Sequence, residues 1–293
     1  MPENDDVWTV LSMLEWATTY FEENRVPNPR LSIEWLLADV LHTKRLDLYL
    51  QYDRPLTSKE LNRLRPMVKR RQCHEPLQYI TGYTTFLNSR IEVNPSVLIP
   101  RSETEQLTEL ILTDYQDDAS LPLYFLDIGT GSGCIPVAVS KKMTSWHCTG
   151  VDNSEKALET ARKNALLNEV TVQFLLADLF EFEYKSPIPS QQSFHVVVSN
   201  PPYILPEEKT SLEKQVLQFE PFDALFHQDP LSIYKSIGRF SSKNLTTDGR
   251  LYLECNPKLT KDIGKELSKY FAKVTILMDY DGQNRFVKAF EPR

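Results

Sequence analysis

Apolar side chains in the first eighty residues recur at helical spacing. Val7, Leu11, Leu14 and Phe21 fall on one face, and the turn material Asn24 to Pro29 ends that run. Ile33, Leu36, Leu37, Val40 and Leu41 then give the i, i+3, i+4, i+7, i+8 stripe of an amphipathic helix. A third helix is predicted from Thr57 past Leu61, Leu64 and Val68, with Pro66 kinking or dividing it. Such stripes bury themselves against one another, which predicts a small helical bundle over residues 1–77. From Gln78 to Ile99 the pattern shortens to alternating stretches such as Ser89-Arg-Ile-Glu-Val-Asn, predicting a hairpin connector over residues 78–100.

Across residues 101–293 strands and helices alternate. Leu123–Ile128, His147–Val151, Val170–Leu176 and Val196–Ser199 are short apolar runs suited to buried parallel strands. Ala157, Leu158, Ala161 and Ala165 mark a helix between two of them, and further strands fit Arg250–Glu254, Val274–Met278 and Arg285–Phe290. Repeated βα units predict an open α/β sheet whose ligand site lies beyond the C-terminal strand ends. The Pro-, Ser- and Gln-rich stretch Lys185–Ser193 reads as a surface loop.

Composition narrows the class. Apolar residues at 41% and charged residues at 25% are an ordinary globular balance. No stretch approaches 18 uncharged apolar residues, so no membrane span is expected. The start, MPENDDVWTV, carries acids where an export signal carries bases, which predicts a cytoplasmic protein. Cys73, Cys134, Cys148 and Cys255 form no CxxC pair, arguing against a zinc ribbon or disulfide scaffold, and no metal is expected. The net charge of −7 disfavours stable nucleic-acid binding. One local exception is residues 54–71, where seven bases (Arg54, Lys59, Arg63, Arg65, Lys69, Arg70, Arg71) meet one acid, Glu60. They form either a solvated helix face or a docking face for an acidic partner or RNA.

Only nine glycines occur, yet three fall between Gly129 and Gly133, which points to a backbone requirement there. Leu123-Tyr-Phe-Leu-Asp-Ile runs straight into Gly129-Thr130-Gly131-Ser132-Gly133 and a helical stretch. In such a strand–turn–helix, glycines admit a ligand close to the backbone and N–H groups at the helix start favour an anion. A dinucleotide fingerprint wants Gly or Ala where Cys134 stands, and a tight structural turn would also explain the glycines. Asp152 ends the second strand, nineteen residues after Gly133, where a carboxylate can accept ribose hydroxyls. Asp178 ends the third, where it could accept from an exocyclic adenine amine; Asn153 and Leu179 adjoin the two acids. Either acid alone could equally be a helix N-cap.

Ser199-Asn200-Pro201-Pro202-Tyr203-Ile204 follows the fourth strand. Two prolines fix the backbone and remove N–H donors, leaving carbonyl acceptors beside the Asn200 side chain. That arrangement suits an –NH2 group, with one acceptor for each hydrogen and the Tyr203 ring to stack on a planar amide or base. The bland alternative is a proline turn ending a strand.

Asp127-Ile-Gly-Thr-Gly-Ser-Gly, Val151-Asp-Asn-Ser, Ala177-Asp-Leu-Phe and Asn200-Pro-Pro-Tyr-Ile resemble the class I S-adenosylmethionine-dependent methyltransferases that act on planar nitrogen. Glu75-Pro-Leu-Gln-Tyr-Ile-Thr-Gly82, Val97-Leu-Ile-Pro-Arg-Ser-Glu-Thr-Glu105, Phe219-Glu-Pro-Phe-Asp-Ala-Leu225 and Asp281-Gly-Gln-Asn-Arg-Phe286 narrow the resemblance to HemK-type release factor glutamine methyltransferases, over nearly the whole chain. The resemblance implies a Rossmann-like domain of seven mostly parallel strands over 101–293 and a substrate-docking helical domain over 1–77. It also implies N5-methylation of the glutamine in the Gly-Gly-Gln tip of peptide chain release factors. Gly129, Thr130, Gly131, Ser132, Gly133, Asp152, Asn153, Asp178, Leu179 and Asn200 are the expected cofactor contacts. Asn200, Pro201, Pro202 and Tyr203 are the expected catalytic and substrate contacts, and a monomer is expected.

Two departures stand out: the family usually has Pro where Ser102 stands, and Glu-Ile-Gly where this chain reads Glu254-Cys-Asn. Ser102-Glu-Thr-Glu105 reads as a capping box that starts the helix by other means. Residues 204–229 are expected to form or support a substrate wall. Rival readings are a ribosomal-protein glutamine methyltransferase, an adenine-N6 methyltransferase on nucleic acid, and a catalytically silent S-adenosylmethionine-binding adaptor.

Overall fold

The computed structural model describes residues 7–181, 188 and 193–293. The expected surface loop Lys185–Ser193 therefore lies, apart from Ile188 and Ser193, outside the described residues. The chain divides into two compact units, one holding the residues up to Gly82 with Glu213–Phe219, the other Tyr83–Leu212 with Glu220–Arg293. Among the described residues no helix is long and apolar enough to cross a membrane.

The first unit contains α1 (Val10–Glu23), α2 (Pro29–Leu41), α3 (Ser58–Gln72) and the short α4 (Leu77–Thr81). Thr9 caps α1, its hydroxyl accepting from the Ser12 N–H while the Ser12 hydroxyl accepts from the Thr9 N–H. The helix thus begins three residues after Val7, which is 73% exposed rather than part of the stripe. Val10, Met13, Leu14, Ala17 and Phe21 bury instead, against Ile33, Leu36, Leu37 and Val40 of α2 and Leu64 and Val68 of α3. Thr57 starts α3 as expected, with Glu60 completing a capping box, and Pro66 sits inside one continuous helix. The first residues of the expected hairpin connector, Gln78 to Thr81, are helical.

The basic run is mostly spent inside this unit. Arg54 pairs with Glu60, Arg63 with Asp39, and Arg70 with Glu75 while also donating to the Tyr79 carbonyl. Arg71 is buried and donates to Ser32 Oγ, the Pro27 and Glu75 carbonyls and Gln215 Oε1. Lys59, Arg65 and Lys69 are exposed. Arg71→Leu should therefore lower stability by ~1–3 kcal/mol, since buried Ser32 and two half-buried carbonyls lose their donor. A urea midpoint equal to wild type would show that water replaces the guanidinium without cost.

The second unit opens with the hairpin β1 (Tyr83–Phe86) and β2 (Ser89–Glu92) and helix α5 (Ser102–Asp114). Then follow β3 (Tyr124–Ile128), α6 (Cys134–Lys142), β4 (His147–Asp152), α7 (Glu155–Leu167), β5 (Val172–Leu176) and β6 (Phe194–Ser199). Helix Pro230–Asn244 leads into β7 (Leu245–Glu254), helix Thr260–Leu267 into β8 (Phe271–Met278), and β9 (Asn284–Pro292) closes the unit. The seven strands lie in the order β5-β4-β3-β6-β7-β9-β8. Strands β3 to β7 are mutually parallel, and β9 runs antiparallel between β7 and β8. Strands β3, β4 and β6 are buried along most of their length, both faces being covered, whereas β5, at the edge of the sheet, is only partly buried. Strand β3 has β4 on one side and β6 on the other, so the order reverses there and opens a crevice at the ends of these three strands.

The expected capping box at Ser102 is not formed. The helix starts one residue earlier than that reading required: Arg101 is its N-cap, without a side-chain bond, and the Ser102 hydroxyl turns to Glu103. Glu105 accepts instead from the Leu87 N–H and ties α5 to the hairpin.

Candidate active site

At that crevice lies a cavity of about 450 Å³. Its lining includes Gly129, Gly131, Asp152, Asn153, Asp178, Leu179, Asn200, Pro201 and Pro202, so most of the expected residues do converge. Thr130, Ser132, Gly133 and Tyr203 do not line it. Thr130 and Ser132 are buried, and Gly133 caps α6 with a positive φ of 75° while packing on Ala161. The Tyr203 hydroxyl is bound to Glu254.

The glycine turn is built differently from an anion cradle. The Gly129 and Thr130 N–H groups both donate to the Val151 carbonyl, at 2.8 and 2.9 Å, and the Gly131 N–H donates to Asp152 Oδ2 at 2.8 Å. These donors are committed to the end of β4, so they are not the N–H groups of the helix start expected to favour an anion. What the turn offers is close approach: Gly129 and Gly131 have positive φ values of 75° and 54°, and a Cβ on either would point into open space.

Asp152 joins turn and helix, because its Oδ1 also accepts from the Ser154 N–H at 2.9 Å. Ser154, not Asp152, is the cap of α7. Burial raises the Asp152 carboxyl above the usual carboxylate range, opposed by the backbone donors of Gly131, Ser154 and Asn153. Asp178 Oδ1 accepts from the Phe180 N–H at 2.9 Å. Asn164 braces the turn from behind, donating to the Ser132 carbonyl and exchanging bonds with the backbone of Glu92.

Asp127 has no role in the sequence reading beyond its place in the glycine motif, yet it is completely buried beneath the turn. Neither carboxylate oxygen has a hydrogen-bond partner, and the Thr130 hydroxyl is also unpartnered. Burial pushes the Asp127 carboxyl up to about 7, with the nearby Thr130 hydroxyl offsetting it only in part. The folded protein thus holds the Asp127 proton to higher pH than the unfolded chain, and stability is lost as pH rises from about 4 to about 7. Asp127→Asn lacks that slope. It should gain ~1 kcal/mol relative to wild type at pH 8 and less at pH 5. Parallel pH profiles of Tm for the two proteins would exclude a buried ionisable carboxyl at this position.

Asn200 stands just past β6, where Ser199 Oγ donates to the Ile128 carbonyl at 2.6 Å and holds β6 to β3. The Asn200 Nδ2 donates to Thr104 Oγ1 at 3.0 Å. Thr104 Oγ1 donates to Glu254 Oε2 at 2.7 Å, and Tyr203 Oη donates to Glu254 Oε1 at 3.0 Å. Glu254 is 0% exposed and was placed by sequence only as a strand residue. An acid ending an apolar strand is the same signal that singled out Asp152.

The wall beyond the acceptor motif comes from part of residues 204–229. Ile204 and the segment Leu225–His227 exchange backbone hydrogen bonds, and Asp223, Ala224, Phe226 and His227 line the cavity. Helix Lys214–Phe219 does not contribute to it, belonging to the first unit. Asn256, where the family reads glycine, donates to the Tyr203 carbonyl and to Glu208 and so steadies the same stretch.

The cavity fits an adenosyl ligand with a charged amino-acid tail. Two carboxylates stand at strand ends, open space lies over two glycines, and Ile128, Val151, Ala177 and Leu179 provide apolar lining. Orphaned polar groups lie below the turn. Among the described residues no group of three or more His, Cys, Asp and Glu side chains could hold a metal ion.

Sheet order, crevice and glycine turn together define a Rossmann-like class I methyltransferase domain. The catalytic domain of hMettl16, solved in complex with MAT2A 3'UTR hairpin 6, shares this fold at 15% identity, with a TM-score of 0.51 over 79% of this chain and 81% of that one. Residues 101–218 match the methyltransferase small domain and residues 12–82 the PrmC N-terminal domain. The release factor glutamine methyltransferase of Leptospira interrogans serovar Lai is 35% identical over 283 residues, 95% of this chain and 97% of that protein. The corresponding Flavobacterium psychrophilum protein is 38% identical over 88% of this chain and 90% of its own length. The chain belongs to the release factor glutamine methyltransferase family.

Proposed function

We propose that this protein methylates the side-chain amide nitrogen, N5, of the glutamine in the Gly-Gly-Gln motif of peptide chain release factors. The observation that carries the reading is the anchored Asn200: its nitrogen is held by Thr104, which leaves Oδ1 as an acceptor at a cavity it shares with Asp152 and the glycine turn.

Bound in the crevice, S-adenosylmethionine supplies a methyl group activated by its sulfonium. Gly129 and Gly131 would let it approach the backbone, Asp152 would accept from its ribose hydroxyls and Asp178 from its adenine amine, and Asn153 and Leu179 would flank the base. The substrate amide is a poor nucleophile because its lone pair is delocalised, as the ~18–20 kcal/mol rotation barrier of an amide shows. Asn200 Oδ1 and the Pro201 carbonyl accept the two amide hydrogens, steer the nitrogen lone pair toward the methyl group and stabilise the positive charge that grows on nitrogen. Pro202 stiffens the motif. Tyr203 is held through its hydroxyl by Glu254, and its ring would stack on the planar amide. The nitrogen would gain the methyl as the sulfonium's methyl–sulfur bond breaks, leaving the neutral thioether S-adenosyl-L-homocysteine, and would lose one proton, which a cationic amide releases readily to solvent. No strong base is required.

Adenine-N6 methylation, the second reading, would use the same acceptor pair. The protein is expected to work in the cytoplasm as a monomer, without a metal and without stable nucleic-acid binding. Incubation with labelled S-adenosylmethionine and a folded release factor, followed by mapping of the label, should give methylglutamine at the Gly-Gly-Gln tip. Label on adenine in an added oligonucleotide, with none on the release factor, would overturn the assignment.

A further inference from the structure

Resting on that reading, we propose that Thr104 and Glu254 are positioning residues that fix which end of the Asn200 carboxamide faces the substrate, and that they thereby make the site accept an amide and refuse a carboxylate. The argument is one of hydrogen-bond polarity. An ionised carboxylate only accepts, and a threonine hydroxyl has one proton to give. Glu254 takes that proton at 2.7 Å, so toward Asn200 the Thr104 oxygen can only accept. The end of Asn200 that meets it at 3.0 Å must then be the –NH2, and the oxygen is left for the substrate. Both Thr104 and Glu254 are buried, which shields the bond between them from water.

Glu254 is an accept-only partner once ionised, so the relay operates, and is tested, above about pH 7. Burial pushes its carboxyl up to about 7 and Glu103 of α5 adds to this; the hydroxyls of Thr104 and Tyr203 and the Arg285 guanidinium of β9 pull it down. Arg285 is itself held by Asp279, at 3.1 Å. The Tyr234 hydroxyl donates to the Glu254 backbone carbonyl and leaves the carboxylate to its two hydroxyl donors.

Glutamine and glutamate differ only in the group that reaches this acceptor. With Oδ1 outward the glutamine –NH2 is satisfied, whereas a glutamate carboxylate would meet a second acceptor. If the Asn200 amide were free to turn, its –NH2 could instead hold a carboxylate. Glu254→Gln can present either end to Thr104, and Thr104→Val presents nothing to hold the Asn200 nitrogen. Thr104→Ser keeps the hydroxyl.

The test uses the full-length protein and a folded release factor, with the same factor carrying glutamate in place of the Gly-Gly-Gln glutamine as competitor. Glu254→Gln and Thr104→Val should each lose roughly tenfold or more in kcat and bind the glutamate competitor roughly tenfold more tightly than wild type does. Thr104→Ser should match wild type in both, and S-adenosylmethionine affinity should be unchanged in all three. A role in packing alone would lower kcat or Tm and leave the glutamine-to-glutamate preference where it was; that result in both variants overturns the relay. If wild type itself fails to methylate the release factor, the functional reading falls and takes the relay with it, whereas variants that match an active wild type sink the relay alone.

Discussion

Asn200→Ala is expected to lower kcat by ~10²–10³ while binding S-adenosylmethionine with wild-type affinity, because a preorganised polar contact in a water-poor site is worth about that much. The substitution removes one of the two acceptors for the substrate amide and leaves the glycine turn and Asp152 untouched. Thr104 loses a hydrogen-bond donor but keeps its bond to Glu254, so the fold should hold. Calorimetry with the cofactor and single-turnover methylation of a release factor separate the two effects. Methylglutamine formed at the wild-type rate by Asn200→Ala would remove this side chain from the reaction.

The second large effect is expected at Asp152. Its carboxylate does two jobs that a smaller side chain cannot: it holds the Gly131 and Ser154 N–H groups, and in the proposed complex it accepts ribose hydroxyls. Asp152→Ala should weaken S-adenosylmethionine by ~1.5–3 kcal/mol, the scale of charge-assisted hydrogen bonds. Asp152→Asn can still accept at one oxygen but offers an –NH2 at the other, against a backbone donor. It should fall between wild type and alanine. Unchanged affinity in the alanine variant, with an unaltered melting curve, would place the ribose elsewhere.

Much of this architecture is legible in the residue pattern, and the misses share a cause. Strands β3, β4 and β6 announce themselves because a strand buried on both faces is an unbroken apolar run. Asp152 and Asn200 are legible because polar groups ending such runs sit at the crevice by topology. The direction of a hydrogen bond is not written in the pattern. Gly129-Thr-Gly reads as a set of free N–H donors until β4 is seen to take them. Ser102 reads as a cap until the helix begins one residue earlier, and Val7 reads as core until Thr9 starts the chain into α1. Arg54, Arg63 and Arg70 read as a basic surface because their acids lie elsewhere in the sequence or across a turn, and Arg71 because the oxygens that hold it are neutral and mostly distant in sequence. Thr104 and Glu254 lie 150 positions apart, and only the fold brings them together.

The placement of β9 between β7 and β8 sets an order for building the sheet that differs from the order of synthesis. Strands β3 to β7 can pair as they appear, each finding an earlier or adjacent neighbour already made. Strand β8 cannot, because among the described residues its neighbour in the sheet is the strand that follows it, β9, which runs antiparallel to both β7 and β8. Because Phe286 and Val287 of β9 fill the interior of the sheet, a ribosome stalled just after residue 283 would hold a domain with its glycine turn and acceptor motif already encoded but with one flank open. In this chain the far flank of the sheet closes only when β9 joins β7 to β8.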